Sequence, residues 1–217
     1  MDFFKFVWLL KNQCLWLSRS DLLGDPWEVS LSGEQLQLVI SRHPPVSLGR
    51  APESAVERAE RILNKWRRCT FVNCWNMSEH ESNALWSIYC KEKEGVLIQT
   101  SIEKLNQMKG EYLLQPVEYV EAGSNKRTPT HADLATKKRP MFSYENEIRI
   151  FHLSEQNEED AKGVRLKFNF SNLIESVRVH PKADDVFYET VQELVGEFAP
   201  DFKGTFAWSD MKLQPPF

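Results

Sequence analysis

The order of strand-like and helix-like segments constrains the fold of this 217-residue chain more than any other feature. Apolar or alternating runs typical of strands recur along the chain, with amphipathic runs typical of helices between them, but the two types do not alternate strictly. Strands are predicted at 69–75, 95–100, 112–120, 142–153, 164–170, 176–180 and 204–208, and helices at 51–68, 78–90, 102–109 and 183–198. Since strands outnumber helices, we expect an α+β fold: a single domain over 1–217 with a mixed or split β-sheet flanked by helices.

Local signals refine several of these segments. Pro52 suits the first turn of the helix at 51–68, and Ser78 followed by Glu81 is a capping-box pattern for the helix at 78–90. Short apolar runs at 3–9 and 14–17 are predicted to be strands, which puts Lys5 on an early strand. Two polar segments are predicted to be loops: 121–130 as a candidate lid, and 155–160 as an acidic loop.

The composition is that of a globular protein. Hydrophobic residues make up 41% of the chain, and the formal net charge of −4 gives no basic excess that would indicate nucleic-acid binding. MDFFKFVWLL at the start has no small-residue cleavage site, and no run approaches the ~20 apolar residues of a membrane span. Four cysteines without CxxC spacing and five scattered histidines indicate no metal site. We therefore expect a cytoplasmic protein with reduced thiols and no membrane contact.

The segment FSYENEIRIFHL, residues 142–153, carries the pattern from which a functional site is predicted. In a strand, side chains alternate between two faces, so Glu145, Glu147 and Arg149 would share one face opposite an apolar one. Carboxylates two residues apart on a strand lie ~6.5–7 Å apart at the backbone, close enough to act on one substrate. The pattern predicts either a catalytic acid pair or a solvated sheet face with cross-strand ion pairs.

Three segments of the chain resemble a bacterial family known as domain-of-unknown-function family 2971. They are LSRSDLLGDPWE after the N-terminal run, FVNCWN through ALWSIYCKEKEGVLIQT, and KKRPMFSYENEIRIF, and the resemblance extends over residues 3–153. Gly24 stands where the family usually has Asn, and Asn76 stands where it usually has Ser. The family has no secure activity that the resemblance would imply for this chain.

A second resemblance is to the ADP-ribosyltransferases, which have a basic or His residue on an early strand, then a hydroxyl-bearing strand, then a strand with Glu/Gln-x-Glu. The early strand with Lys5, the strand at 69–75 and the Glu145-x-Glu147 pair follow this order. The resemblance implies an ADP-ribosyltransferase-like fold and an enzyme that consumes NAD as its substrate. ADP-ribose would go to an unknown acceptor, a macromolecule or a small molecule, or to water. Such an enzyme would suit a toxin, a defence effector or a regulatory modifier.

The same resemblance implies roles for the three charged residues. Breaking the nicotinamide–ribose bond passes through an oxocarbenium-like species, which a nearby carboxylate stabilises. Glu147 would be that carboxylate, and Glu145 would orient or deprotonate the attacking nucleophile. Arg149 would keep Glu147 ionised or contact a phosphate of the dinucleotide.

Five other residues become candidates for NAD binding: Lys5, Asn76, Ser78, Trp86 and Tyr89. Lys5 would bind phosphates, and Asn76 or Ser78 would supply the function of the hydroxyl-bearing strand. Trp86 and Tyr89 would stack on a flat ring. Each role has a structural alternative, which is a solvent-facing lysine for Lys5 and core packing for the two aromatic residues, three positions apart on a predicted helix.

Two other functions are compatible with the sequence. A non-catalytic interaction module on the same fold, with a protein partner, would leave Glu145 and Glu147 exposed on a flat face. A metal-dependent nuclease or phosphohydrolase would gather four carboxylates around Mg²⁺: Asp25, Glu28, Glu145 and Glu147. Oxygen ligands suit that ion, but the absence of a basic stripe disfavours a nucleic-acid substrate.

Overall fold

A computed structural model of the chain describes residues 1–25, 27–43, 45, 53–90, 93–108, 110–121, 130–154 and 161–212. The helices are α1 (Phe3–Asn12), α2 (Gly33–Arg42), α3 (Ala55–Arg68), α4 (Asn83–Tyr89), α5 (Ile102–Asn106), α6 (His131–Ala135), α7 (Phe170–Leu173) and α8 (Asp185–Phe198). The strands are β1 (Cys14–Arg19), β2 (Thr70–Asn76), β3 (Val96–Gln99), β4 (Leu113–Pro116), β5 (Glu118–Tyr119), β6 (Lys137–Lys138), β7 (Glu147–Leu153), β8 (Gly163–Lys167), β9 (Ser176–Val179) and β10 (Thr205–Trp208). This is a mixed α+β fold with more than one sheet, as the sequence predicts.

The chain divides into two compact units. Unit 1 comprises Met1–Leu15, Ser78–Gly110 and Arg165–Phe217, and unit 2 comprises Trp16–Met77 and Glu111–Val164. Two compact units can belong to one folding domain, so the single domain stays a prediction. No helix among the described residues has the length and apolar character needed to cross a bilayer.

Unit 2 holds most of a five-stranded sheet in the order β4-β7-β2-β1-β8. β7 runs antiparallel to β2 on one side and to β4 on the other. Residues 147–151 of β7 are all buried, which identifies it as a core strand covered on both faces. The parallel pair β5–β6 adjoins the start of β7, because the N–H of Val117 donates to the carbonyl of Glu147 at 2.8 Å.

Unit 1 is built on a three-stranded sheet in the order β10-β9-β3, in which β10 is parallel and β3 antiparallel to β9. Helices α1 and α8 meet through the rings of Phe3 and Phe187, whose centroids are 5.1 Å apart. Phe6 and Phe170 are fully buried and pack edge to face. Aromatic side chains therefore fill much of this core.

The start of the chain is a helix, so the strand predicted at 3–9 is wrong. Asp2 caps α1 by accepting a hydrogen bond from the N–H of Lys5 at 2.9 Å. Phe6, Leu9 and Leu10 are buried at helical spacing. Lys5 consequently lies on α1 and not on an early strand. The strand predicted at 14–17 is confirmed as β1.

The segment 142–153 is a strand only from Glu147 onward. Pro140 opens a 3-10 turn that ends at Glu145, and the fixed φ of proline suits that first position. Asn146 follows with φ 37° in the left-handed region, which asparagine enters at lower cost than most residues. Glu145 therefore leaves the strand, and the predicted shared face holds only for Glu147 and Arg149.

The other predicted elements are confirmed with shifted bounds. The strand predicted at 112–120 is divided into β4 and β5. Helix α4 begins at Asn83 with Ser82 as its N-cap, so the capping box predicted for Ser78 and Glu81 does not form. Helix α3 begins at Ala55, after a capping box of Ser54 and Glu57, and Pro52 lies outside the described residues. The candidate lid, apart from residues 121 and 130, and the acidic loop 155–160 lie outside the described residues.

Candidate functional site

A buried group of charges lies in unit 2, and we call it the charge cluster: Glu28, Lys138, Glu145, Glu147 and Arg149. Arg149 is at its centre, with a side chain that is 1% exposed. Nη1 and Nη2 each donate to one oxygen of Glu28 at 2.8 Å. Nε donates to Oε1 of Glu147 at 2.8 Å, and Nη2 to Oε2 at 3.3 Å. With Nη1 donating to the Ala135 carbonyl at 2.9 Å, all five donors of the guanidinium group are used.

Lys138 connects this centre to Glu145. Its ammonium nitrogen lies 2.5 Å from Oε2 of Glu145, 3.2 Å from Oε2 of Glu147 and 3.8 Å from Oε1 of Glu28. One ammonium group therefore joins three carboxylates that come from two distant segments of the chain. With all five groups ionised, three negative and two positive charges leave the cluster with a net charge of −1.

The electrostatics keep Glu147, Lys138 and Arg149 ionised. Burial by itself would raise the pKa of Glu147, but the charge and hydrogen bonds of Arg149, helped by Cys74 and Lys138, lower it below its ordinary value. Burial opposes the charge of Lys138, yet the hydrogen bond to Glu145 and the neighbouring carboxylates raise its pKa. The pKa of Arg149 is likewise raised, because its bonds to Glu28 and the negative charges around it outweigh the cost of burial.

Local backbone geometry explains how the carboxylates converge. Glu147 and Arg149 are two residues apart on β7 and so point to the same face. Glu28 follows a tight turn in which Asp25 accepts the N–H groups of Trp27, through its side chain, and of Glu28, through its carbonyl, both at 3.0 Å. The hydroxyl of Tyr119 accepts the N–H of Glu147 at 2.9 Å, which fixes the first residue of β7.

A second ion pair flanks the cluster. Arg139 donates from Nε and Nη2 to the two carboxylate oxygens of Asp25, at 3.2 and 2.9 Å. Its guanidinium carbon lies 5.5 Å from the ring centroid of Phe142 and 5.6 Å from that of Trp27, which are cation–π distances. The ammonium of Lys138 lies 4.9 Å from the same Phe142 ring. Aromatic side chains therefore border the cluster, and Trp27 among them is 51% exposed.

The cluster has a closed part and an open part. Glu147 and Glu28 have side chains that are 2% and 3% exposed, and every oxygen of both accepts a hydrogen bond or an ion pair from a cation. The Glu145 side chain is 13% exposed, and its Oε1 has no hydrogen-bond partner among the described residues. Glu145 is thus the carboxylate of the cluster that can reach a ligand.

Cys74 adjoins the closed part. It is paired with Arg149 in the register of β2 and β7, and it is an exposed residue, whereas Cys14, Cys69 and Cys90 are buried free thiols. Although the residue is exposed, its thiol lies against the buried Glu147 carboxylate. Loss of hydration at the sulfur therefore raises the pKa of the Cys74 thiol, Arg149 opposes this, and the negative charge of Glu147 adds to it. The thiol is therefore protonated at neutral pH and is a poor nucleophile.

The structure brings together some of the residues predicted from the sequence. Glu147 and Arg149 share a buried face of β7, as predicted, whereas Glu145 lies in the turn before the strand and joins them through Lys138. Asn76 is opposite Glu147 in the register, but its amide donates to the backbone carbonyl of Glu145 and not to the Glu147 carboxylate. The Asn76 amide therefore holds the turn before β7.

The other predicted NAD-binding residues belong to unit 1. The Lys5 side chain is 75% exposed and paired with Asp2, which is the solvent-facing alternative. The hydroxyl of Ser78 donates to the carbonyl of His80 at 2.9 Å. Trp86 is buried with its indole N–H on Glu81 at 2.9 Å, as expected of a core residue, whereas Tyr89 is 51% exposed. Their roles toward NAD stay predictions.

Sequence reasoning did not identify Lys138 or Tyr119, and it considered Glu28 only as a ligand of Mg²⁺. Lys138 lies in the KKRPMFSYENEIRIF segment, but nothing in its spacing indicates that the ammonium faces Glu145. Glu28 and Arg149 are 121 residues apart in the chain, and no local pattern links them. The turn GDPWE is the signal for Glu28, because a tight turn followed by a carboxylate places that carboxylate at the end of a loop.

The carboxylates proposed for a Mg²⁺ site are occupied by protein cations instead. Glu28, Glu145 and Glu147 do converge, but on Lys138 and Arg149, while Asp25 is paired with Arg139. No group of three or more His, Cys, Asp or Glu side chains is arranged to hold a metal ion in the part of the chain that the structure describes.

Comparison with known proteins gives one match. Residues 85–150 match the model of a family described as protein of unknown function (DUF2971). The match covers less than half of the chain and includes four members of the charge cluster but not Glu28, and the LSRSDLLGDPWE segment lies outside it. No curated protein and no solved structure matches the chain, so the resemblance to ADP-ribosyltransferases gains no support from these comparisons. What they support is a likeness to DUF2971 from helix α4 to the middle of strand β7.

Proposed function

We propose that unit 2 cleaves the nicotinamide–ribose bond of NAD⁺, as an ADP-ribosyltransferase or NAD glycohydrolase. The observation that carries this proposal is the open part of the charge cluster. Glu145 is partly exposed, one of its oxygens is held by Lys138 at 2.5 Å, and the other is unpaired among the described residues. An ionised carboxylate that is fixed at one oxygen and free at the other suits the stabilisation of a positive charge on a ribose.

The closed part changes the roles expected from the sequence. Glu147 is 2% exposed with both oxygens held by Arg149 and Lys138, so it acts as a positioning residue rather than as the group that touches the ribose. Glu145 takes the role at the reacting carbon. The bond between the nicotinamide nitrogen and C1′ breaks, its electron pair stays on the nitrogen, and neutral nicotinamide leaves. Water or an acceptor attacks C1′ and loses its proton to Glu145.

The charge of the site suits this substrate. The nicotinamide ring of NAD⁺ is a cation, and the charge cluster has a net charge of −1 with Glu145 at its open side. Trp27 is half exposed at the border of the cluster, where a flat cationic ring can stack. Arg139, which lies against Trp27 and is 31% exposed, is available for a phosphate oxygen of the dinucleotide.

A non-catalytic interaction module is the second candidate, and the closed part of the cluster favours it. All five donors of Arg149 are used, which is what a structural role requires and what a substrate site does not. In this case, a protein partner would bind the exposed residues around Trp27, and NAD⁺ would not bind at all.

Incubation of the purified protein with NAD⁺, with nicotinamide release followed by chromatography, tests the proposal. Glu145→Gln keeps the size of the side chain and removes the charge, so release should fall by about 10²–10⁴-fold. Glu60→Gln is the matched control, because Glu60 is an exposed glutamate on α3, and it should release nicotinamide at the wild-type rate. Circular dichroism of each variant checks that the fold is intact.

The result that refutes the proposal is the absence of nicotinamide release together with the absence of NAD⁺ binding by calorimetry. Equal rates for wild type and Glu145→Gln would refute the assigned role of Glu145. The first outcome would leave the interaction module as the better account of the cluster.

A further inference from the structure

A groove in unit 1 has no part in the proposed function. Its volume is about 970 Å³, at the upper end of the ~300–1,000 Å³ typical of small-molecule sites. Phe3 of α1, Lys93 after α4, and the segment from His180 into α8 contribute to its walls. All of its lining residues belong to unit 1, so the groove is complete within that unit.

His180 is the buried polar side chain that lines the groove, with only 8% of its surface exposed. Its Nδ1 accepts the N–H of Lys182 at 3.1 Å, which assigns the proton of the neutral ring to Nε2. Nε2 has no hydrogen-bond partner among the described residues. Burial and the charges of Lys182 and Lys93 lower the pKa of His180, so the ring is neutral at pH 7. The N–H at Nε2 is therefore a hydrogen-bond donor that an acceptor bound in the groove can use.

Two lysines lie near His180. Lys93 and Lys182 line the groove, are exposed, and form no ion pair with any described residue. Glu94 and Asp184 also line it, but Oδ1 of Asp184 accepts the N–H of Phe187 at 2.8 Å as the N-cap of α8. The charges of Lys182 and Lys93 both contribute to the lowered pKa of His180, so both act on its ring. An acceptor that carries negative charge is therefore favoured at Nε2.

The groove also has apolar lining residues, which come from α1 and α8. Phe3 and Phe187 pack edge to face, and Val186 beside them is 72% exposed. Apolar side chains together with a hydrogen-bond donor and two cations form the usual arrangement of a small-molecule site. The apolar side chains give affinity by burial, and the polar group gives orientation.

We propose that this groove binds an amphiphilic anion, a carboxylate or phosphate monoester that carries an apolar group. An oxygen of the anion accepts the hydrogen bond from Nε2 of His180 between the charges of Lys93 and Lys182. The apolar group lies against Phe3, Val186 and Phe187. The site is separate in sequence and in chemistry from the charge cluster, so its occupancy does not depend on the proposed cleavage of NAD⁺.

Calorimetric titration of the full chain with octanoate tests this proposal. Acetate has the charge without the chain and octanol has the chain without the charge, so we expect both to bind at least about tenfold more weakly than octanoate. The double variant Lys93→Gln/Lys182→Gln should weaken octanoate binding by about tenfold, since it removes two exposed charges near the anion. Lys203→Gln is the matched control, an exposed lysine of unit 1 that does not line the groove, and it should bind octanoate as the wild type does.

His180→Gln, checked for folding by circular dichroism, adds a test of the buried donor and should also weaken octanoate binding. The proposal is overturned if octanoate does not bind, if octanol binds as tightly as octanoate, or if the double variant binds octanoate unchanged. Co-sedimentation with phosphatidylglycerol vesicles without octanoate binding would also overturn it, because the surface would then recognise a membrane rather than a single molecule.

Discussion

Removal of the Arg149 guanidinium group gives the sharpest test of the charge cluster. In Arg149→Met, Glu28 and Glu147 each lose two hydrogen bonds from a cation while their side chains stay 3% and 2% exposed. Loss of one partner from a buried ion pair costs about 3–5 kcal/mol. Lys138 stays at 3.2 Å from Glu147 and 3.8 Å from Glu28 and offsets part of that cost. We therefore expect the lower end of the range, about 3 kcal/mol of unfolding free energy.

Urea unfolding at pH 7, followed by circular dichroism, measures this loss. Arg61→Met is the matched control, because Arg61 also donates twice to a carboxylate, that of Glu53, but its side chain is 41% exposed. An exposed pair of this kind contributes about 1 kcal/mol or less. The double variant Glu28→Gln/Arg149→Met should recover part of the loss, since it removes one of the two uncompensated buried charges. A loss for Arg149→Met no larger than that for Arg61→Met would refute the argument that the cluster is a closed, desolvated system.

Two further predictions follow from the same contacts. Tyr119→Phe removes the acceptor for the N–H of Glu147 and should cost about 1–2 kcal/mol in urea unfolding, as a buried donor without a partner does; an unchanged midpoint would contradict this. Because folding lowers the pKa of Glu147 below its ordinary value of 4.5, the stabilising contribution of this carboxylate is complete above that value and is lost as the pH falls through the lower folded-state value. The difference in melting temperature between wild type and Glu147→Gln, measured by differential scanning fluorimetry, should therefore shrink on acidification from pH 7 toward pH 3, and a constant difference would count against the assignment.

Segments with one clear period were predictable from the sequence. Strand β2 follows from the apolar run 69–75. Helix α8 follows from the helical spacing of its apolar residues, of which Val191 is buried; these are Phe187, Val191, Leu194 and Phe198. The strand predicted at 3–9 is wrong, because an apolar run this short does not distinguish a strand from a helix. The Asp2 N-cap and the helical spacing of the buried residues, which decide in favour of a helix, are present in the sequence.

The charged face of β7 was predictable only in part. Spacing two residues apart puts Glu147 and Arg149 on one face, and that is observed. The same rule fails for Glu145, because Pro140 and Asn146 define a turn that interrupts the strand. The partners Glu28 and Lys138 could not be predicted from the sequence. Glu28 and Arg149 are 121 residues apart, so their contact depends on tertiary packing. No local spacing indicates that the Lys138 ammonium faces Glu145.

The turn that interrupts the predicted strand also creates the open part of the site. On a continuous strand, Glu145 would lie ~6.5–7 Å from Glu147 at the backbone, whereas the left-handed Asn146 brings both carboxylates to the one ammonium of Lys138, at 2.5 and 3.2 Å. A buried ion cluster adds little stability compared with apolar residues of the same volume, so stability alone is a weak reason for five charges at this place. The closed part around Arg149 accounts for the fixed position of Glu147 and Lys138. Glu145, held at one oxygen and open at the other, is the member for which packing supplies no reason, and it is where a reaction partner is expected.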